Sequence, residues 1–185
     1  MIVKIDNRET ARICDAINFY KHDHKIVIDE LPIGDFIFQD ENNSVVFEYK
    51  TITDFLFSVR EGRVFDQAIR QSKHFKYHFV IIEGIYNGNQ KIISADDYYE
   101  SISRLNTITT VLTSPSKLLS FTLMEKQAMT CLENPLLKQP SFKSSNVAYN
   151  YLMLIKGIDK VKAHTICKRL NLKTFEDLRN VTQKN

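Results

Sequence analysis

The chain has 185 residues, of which 43% are hydrophobic, and its 25 Lys and Arg against 22 Asp and Glu give a net charge of +3. It contains no run of eighteen apolar residues and no charged-then-apolar leader. The sequence therefore predicts an intracellular protein with neither a membrane span nor a secretory signal. The three cysteines are far apart and odd in number, which argues against a disulfide framework or a zinc site.

The first predicted element is a strand over residues 2–5, followed by Asp6-Asn7-Arg8-Glu9. These four residues close the strand and open a helix with acidic residues in its first turn. Two short runs rich in β-branched and aromatic residues come next, at 35–39 and 44–50, with a turn-like segment between them. They predict a β-hairpin.

The hairpin carries side chains suited to the hydrolysis of a phosphodiester. That reaction develops negative charge on oxygen, and carboxylates that hold Mg²⁺ or Mn²⁺ bring a cation to this charge. Asp35 and Glu48 are the predicted ligands, because the hairpin lets them meet near one end of the sheet. Lys50 lies two residues after Glu48 and points to the same face of the strand. Its ammonium could orient the attacking water or neutralise the phosphate.

Downstream of the hairpin, helical and extended segments alternate, which is typical of an α/β domain with helices on both faces of a central sheet. We expect this domain to span residues 1–133. Its predicted elements are a helix over 62–75, a strand over 77–84, a helix over 95–106 capped by Ser94, a strand over 108–113, and a helix over 115–133 capped by Ser114.

The succession of motifs resembles the nuclease domain of the XPF/Mus family of structure-selective DNA endonucleases. The family pattern runs from a strand ending in Asp-x-Arg-Glu through Gly-Asp to Glu-Arg-Lys, and continues with Asp, Ser, Gly-Arg and Gln. The corresponding positions here are Asp6, Arg8, Glu9, Gly34, Asp35, Glu48, Tyr49, Lys50, Asp54, Ser58, Gly62, Arg63 and Gln67. The resemblance covers about residues 1–130 and implies a restriction-endonuclease-like core.

The resemblance also implies a function, namely hydrolysis of branched or flapped duplex DNA with Mg²⁺ or Mn²⁺ as cofactor. Lys50 would be the catalytic ammonium beside the two metal ligands. The further expected site residues are the acidic Asp6 and Glu9, the supporting carboxylate Asp54, and the DNA-contacting Arg8, Arg63 and Gln67. A homodimer through the nuclease domain, or pairing with a related subunit, is expected as well.

Tyr49 departs from the family pattern, which has an arginine between the Glu and the Lys. The exchange removes a charged fork that could hold a carboxylate or a phosphate. A strand side chain at position 49 points away from Glu48 and Lys50, so the metal site is expected to persist. The resemblance implies that the backbone carbonyl of Tyr49 is a further metal ligand. Arg8 and Lys4 are the candidates for supplying the missing charge.

Residues 134–145 contain two prolines and three serines, which predicts a linker, with an ordered surface loop as the alternative. Residues 146–185 follow as a small all-α module. It resembles a single helix-hairpin-helix, a DNA-binding motif in which backbone N–H groups at the turn hold a phosphate. The expected DNA contacts are Gly157, Ile158, Lys160, Lys162 and Lys168. Asp159 replaces the second glycine of the motif.

The charge is divided unevenly between the two predicted parts. Residues 134–185 hold ten Lys or Arg and three Asp or Glu, a net charge of +7, whereas residues 1–133 have a net charge of −4. A basic tail that docks on the DNA backbone and an acidic core that binds metal would produce this division. A charged helical face that only keeps a small domain soluble is the alternative.

Two other functions are compatible with the sequence. A catalytically weak or inactive relative could bind branched DNA or partner an active nuclease, and the exchange at Tyr49 favours this possibility. A sequence-specific restriction-type nuclease shares the same Asp and Glu-x-Lys chemistry, but it would cut linear duplex DNA.

Overall fold

The computed structural model describes residues 1–134, 147–152, 158–173 and 177. By its internal contacts the chain divides into two compact units, Met1–Ser141 and Phe142–Asn185. All but the first residue of the predicted linker lies outside the described residues, so the limits of that linker stay a prediction.

A mixed β-sheet forms the centre of the first unit. Its strands are ordered β2-β1-β3-β4-β5-β6. Strand β3 runs antiparallel to β1 and β4, and the other neighbouring pairs are parallel. In chain order the elements are β1 (Ile2–Asp6), α1 (Ile13–Tyr20), β2 (Lys25–Asp29), β3 (Phe36–Gln39), β4 (Ser44–Thr51), α2 (Ile52–Arg60), α3 (Arg63–His74), β5 (Tyr77–Glu83), α4 (Ala95–Leu105), β6 (Thr110–Ser114) and α5 (Lys117–Glu133).

Side chains that alternate along the strands cover the two faces of the sheet. Val3, Phe47 and Phe79 point to one face, where they form a core with residues of α1 and α5. Neighbours such as Val46 point to the other face, and α2 and α3 pack against β4 and β5 there. This arrangement confirms the predicted α/β core with helices on both faces, and it confirms the hairpin formed by β3 and β4.

Two elements were not predicted, and two helices begin later than expected. Strand β2 is a mostly solvent-exposed edge strand, so the apolar alternation that marks a strand is weak. Helix α2 directly follows β4, with Thr51 as its N-cap. Helix α1 starts at Ile13, because the Asp6 carboxylate accepts a hydrogen bond from the Arg8 amide and holds that segment in a turn. The predicted cap of α5, Ser114, is wrong: it ends β6, and the hydroxyl of Ser116 caps the helix.

The second unit contains two described helices, α6 (Val147–Leu152) and α7 (Lys160–Leu170). They share a small apolar core. Its buried members are Ala148, Leu152, Ala163, Cys167 and Leu172. Across the described parts of both units, no helix is long and apolar enough to cross a membrane.

Candidate active site

Two adjoining clefts lie where β3 begins and β4 ends, and Asp35, Glu48 and Gln67 line both of them. The first, here called the Lys50 cleft, has a volume of about 210 Å³; its other lining residues are Glu9, Arg12, Tyr49, Lys50, Asp54 and Arg63. The second, the Arg8 cleft, has a volume of about 180 Å³; it is completed by Arg8, Pro32, Ile33, Gly34, Arg70 and Gln71.

Asp35 is held against the end of β4 by the hairpin register. Phe36 pairs with Phe47, which sets Asp35 beside Glu48 on the same face of the sheet. The Asp35 amide donates to the carbonyl of Phe47 (2.9 Å), and its Oδ2 accepts from the amide of Tyr49 (2.7 Å). Burial, together with the neighbouring carboxylates Glu48 and Glu9, raises the pKa of Asp35 well above its ordinary value.

Glu48 is only 4% exposed, and each of its carboxylate oxygens has a donor. Oε1 accepts from the Lys50 ammonium (3.0 Å) and from the Gln67 amide, and Oε2 accepts from Nε2 of Gln71 (3.1 Å). Both glutamines lie on α3 and face β4. A buried carboxylate with three donors is confined to one orientation, which a metal ligand requires.

The atoms around these two acids suit a hard divalent cation. Asp35 and Glu48 supply carboxylate oxygens, and the buried Oε1 atoms of Gln67 and Gln71 are further oxygen acceptors without a hydrogen-bond partner. In the described parts of the chain no group of three or more His, Cys, Asp or Glu could hold a metal ion. Two carboxylates form a small set of protein ligands, and a hard divalent cation that keeps several of its water ligands needs no more than that.

Asp6, expected as a further acidic member of the site, lines neither cleft. Its carboxylate is buried and accepts from the Arg8 amide (2.8 Å), from Nε (2.8 Å) and Nη2 (2.5 Å) of Arg8, and from the Leu31 amide (3.2 Å). These bonds to Arg8 lower the pKa of Asp6. The structure therefore places Asp6 as the group that fixes the Arg8 guanidinium at the rim of the Arg8 cleft.

Arg12 also lines the Lys50 cleft, although the sequence pattern did not predict it there. Its guanidinium lies 4.5 Å from the centroid of the Tyr49 ring, pairs with the Glu9 carboxylate and comes within 3.9 Å of Oδ2 of Asp54. Of the two expected sources of positive charge, Arg8 lies in the other cleft and Lys4 in neither. The available signal was the spacing of three residues between Glu9 and Arg12, which is typical of a helical ion pair.

Tyr49 points away from Glu48 and Lys50, as predicted. Its side chain is buried beside Phe36 and Phe121, and its hydroxyl donates to Oε2 of Glu83 (2.8 Å). The ring thus reaches from the aromatic core to the cleft, where Arg12 covers it.

We expect Tyr49→Phe to lower the free energy of unfolding by about 1 to 2 kcal/mol, because the Glu83 carboxylate loses a hydrogen-bond donor. Urea unfolding followed by circular dichroism measures the change. Tyr99→Phe, at a solvent-exposed tyrosine, is the matched control and should be neutral. Equal stability of the two variants would show that the bond to Glu83 contributes nothing.

The remaining predicted residues that the structure describes lie at the rim of the Lys50 cleft or in the second unit. Asp54 and Arg63 are exposed at the rim of the Lys50 cleft, on α2 and α3. Gly157 lies outside the described residues. In the second unit Ile158 packs on the small core, and Lys160, Lys162 and Lys168 are exposed.

Asp159 caps α7, and its Oδ1 accepts from the amide of Lys162 (2.8 Å). Its carboxylate therefore occupies the helix N-terminus at which the hairpin motif would hold a phosphate.

Comparison with known proteins identifies the family of the chain and finds solved structures with the same fold. The family model named ERCC4 domain matches residues 5–126. No curated protein sequence shows significant similarity to the chain. Among solved structures, XPF from Aeropyrum pernix in complex with DNA matches with a TM-score of 0.58 and 22% identity, over 96% of this chain and 84% of that one. XPF from Aeropyrum pernix in a second structure gives a TM-score of 0.57 and 22% identity, over 92% and 83%.

The matched segment contains the whole β3–β4 hairpin and both glutamines of α3, and it makes up most of the first unit. The solved structures share the fold. The chain therefore belongs to the ERCC4-domain family.

Proposed function

We propose that this chain is a metal-dependent endonuclease that hydrolyses phosphodiester bonds in branched, flapped or forked DNA. The observation that carries the proposal is the meeting of Asp35, Glu48 and Lys50 in one cleft. Two carboxylates and an ammonium at one sheet end supply what the reaction needs, namely cation binding and charge stabilisation.

The proposed cofactor is Mg²⁺ or Mn²⁺, held by Asp35, Glu48 and the backbone carbonyl of Tyr49. When bound, the ion stabilises negative charge on the phosphate oxygens and promotes ionisation of a water. Gln67 and Gln71 fix the orientation of Glu48 through its two oxygens. Their task is to keep the carboxylate in place when the substrate enters.

Lys50 is proposed to act on the phosphate or on the attacking water. Its ammonium is 3.0 Å from Oε1 of Glu48 and only 4% exposed. A charge shielded from water acts more strongly on a neighbouring phosphate than one in solution. Glu9 and Asp54 complete the acidic lining, and they contribute mainly through Arg12.

DNA binding is proposed to use both units. Arg8 and Arg63 lie at the rims of the two clefts. The basic region 146–185, proposed as a helix-hairpin-helix module with contacts at Gly157, Ile158, Lys160, Lys162 and Lys168, adds salt-sensitive attraction after a linker at 134–145. The solved XPF that the chain resembles was determined in complex with DNA, which supports this role. A homodimer through the first unit, or a related subunit, is proposed as the assembly.

A substrate panel tests this function. Purified protein with Mn²⁺ is given end-labelled flap, fork, three-way junction and linear duplex DNA, and the products are resolved on a denaturing gel. We expect cleavage of the branched substrates and little cleavage of the linear duplex. Cleavage of linear duplex at a defined sequence would instead identify a restriction-type enzyme.

A catalytically inactive relative that binds branched DNA is the second candidate, favoured by Tyr49 in place of the family arginine. The same panel decides between the two functions when binding is measured in parallel. Tight binding to the flap without cleavage in either Mg²⁺ or Mn²⁺ would establish the binding module and reject the enzyme.

A further inference from the structure

We infer that Arg12 binds a substrate phosphate in the Lys50 cleft, with the ring of Tyr49 as its platform. The inference deepens the proposed function and rests on it, because the ligand is the phosphodiester of the DNA substrate. It assigns a phosphate contact to a residue outside the predicted site.

The first argument is the way in which Arg12 is held. The guanidinium carbon of Arg12 lies 4.5 Å from the centroid of the Tyr49 ring. Nη1 of Arg12 pairs with the Glu9 carboxylate, and Nη2 lies 3.9 Å from Oδ2 of Asp54. An aromatic face and two carboxylates fix both the plane and the direction of the fork. Tyr49 is itself buried and bonded to Glu83, so the platform is rigid.

The second argument is the position of the guanidinium. The Arg12 side chain is 14% exposed, and it lines the cleft that Asp35, Glu48 and Lys50 also line. Guanidinium has five N–H donors in a planar fork that matches a phosphate. A pre-oriented fork loses little side-chain entropy when a phosphate binds, so more of the contact's energy contributes to affinity.

The third argument is the charge of the cleft. Four carboxylates and three cationic side chains line it, which gives a formal charge of −1. A divalent cation changes this charge to +1, opposite to that of one phosphodiester. Without Arg12 the loaded cleft would be neutral, and attraction for the phosphate would come only from the bound ion, Lys50 and the exposed Arg63.

A purely structural Arg12 is the competing explanation, in which it only keeps Glu9 and Asp54 in place. The two explanations differ in the salt dependence of DNA binding. The logarithm of the binding constant falls as the logarithm of the salt concentration rises. Losing a phosphate contact makes this slope shallower by about one, whereas losing an internal ion pair leaves the slope unchanged.

The experiment compares Arg12→Gln with Arg60→Gln. Arg60 is a matched control, because its guanidinium also stacks on an aromatic ring, that of Phe57 at 4.8 Å, but it lines neither cleft. Binding to a fluorescent flap is titrated at several salt concentrations with Ca²⁺ present. We expect Arg12→Gln to weaken binding about tenfold at low salt and to reduce the slope by about one. Arg60→Gln should keep the wild-type slope.

Arg12→Lys guards against loss of folding. Lysine keeps the positive charge and the pairing with Glu9, so the salt dependence of DNA binding should equal that of wild type. The affinity for the flap should fall, because lysine lacks the planar fork. Equal slopes for Arg12→Gln, Arg60→Gln and wild type would overturn the inference, as would wild-type protein that binds no flap DNA. Wild type that binds but does not cleave would reject only the proposed activity, since the slopes would still decide the role of Arg12.

Discussion

Asp35→Asn is expected to abolish most metal-dependent cleavage without destabilising the fold. Loss of a metal ligand that contributes about 4 kcal/mol to transition-state stabilisation corresponds to a rate reduction of about a thousandfold. The fold should tolerate the change because asparagine keeps an oxygen for the Tyr49 amide. The substitution also removes the negative charge of Asp35, which is disfavoured by burial and by the neighbouring carboxylates of Glu48 and Glu9. A destabilising charge retained for activity is a known trade-off in enzymes.

The measurement combines single-turnover cleavage of a flap with thermal unfolding in EDTA and in Mn²⁺. In EDTA the Tm of Asp35→Asn should equal or exceed that of wild type, and only wild type should gain stability from Mn²⁺. Asp15→Asn removes an equal charge from an exposed carboxylate that pairs with Lys117 and lines neither cleft. It should behave as wild type in the cleavage assay. A Mn²⁺-induced rise in Tm in Asp35→Asn as large as that of wild type would show that Asp35 is not a ligand.

Gly34→Ala is expected to lower the free energy of unfolding by about 3 kcal/mol or more, which for a protein of this size is a fall in Tm of roughly 6–12 °C. Two effects combine. Gly34 has φ +78°, which an L side chain rarely adopts, and an added Cβ would lie 2.2 Å from Cγ2 of Val46 and 3.2 Å from the carbonyl of Phe47. The contact would push β3 away from β4 at the place where the Asp35 amide bonds to Phe47.

Gly88→Ala separates the two effects. Gly88 has nearly the same backbone angle, φ +75°, but an added Cβ would meet nothing within 4 Å. Its cost should be only the backbone strain, about 1 kcal/mol. Urea unfolding of both variants gives the difference, and Mn²⁺ titration of Gly34→Ala should show weaker metal binding. Equal stabilities for the two alanine variants would contradict the close packing of Gly34 on Val46.

The parts of the site that lie close together in the chain could be predicted because they obey local rules. A strand alternates its side chains, so Glu48 and Lys50 had to share a face and Tyr49 had to face the opposite way. A two-stranded hairpin brings its ends together, which paired Asp35 with Glu48. The family pattern then gave these residues a chemical meaning. Gly34 entered only through the family pattern, and its positive φ and close approach to Val46 became visible in the folded chain.

Asp6 and Gln67 show how local reasoning falls short. Both match the family pattern, and the pattern gives no information about which neighbour their polar atoms will bond. In the folded chain Asp6 bonds Arg8 and the Leu31 amide, which β2 and the following loop bring to it. Gln67 bonds Glu48 from α3, which packs on the face of the sheet to which Glu48 points. These choices depend on the packing of α3 and on the unpredicted strand β2.

Residue order along short segments was enough to identify the α/β core, the β3–β4 hairpin and the acid pair with its lysine, because alternation and turn geometry act over a few residues. Long-range packing was needed to bring Arg12 and Gln71 to the candidate active site. Arg12 comes to Tyr49 from a segment 37 positions earlier, and Gln71 comes to Glu48 from 23 positions later. Such meetings depend on burial of apolar helix faces against the sheet, which sets the positions of polar side chains on these helices and at their ends.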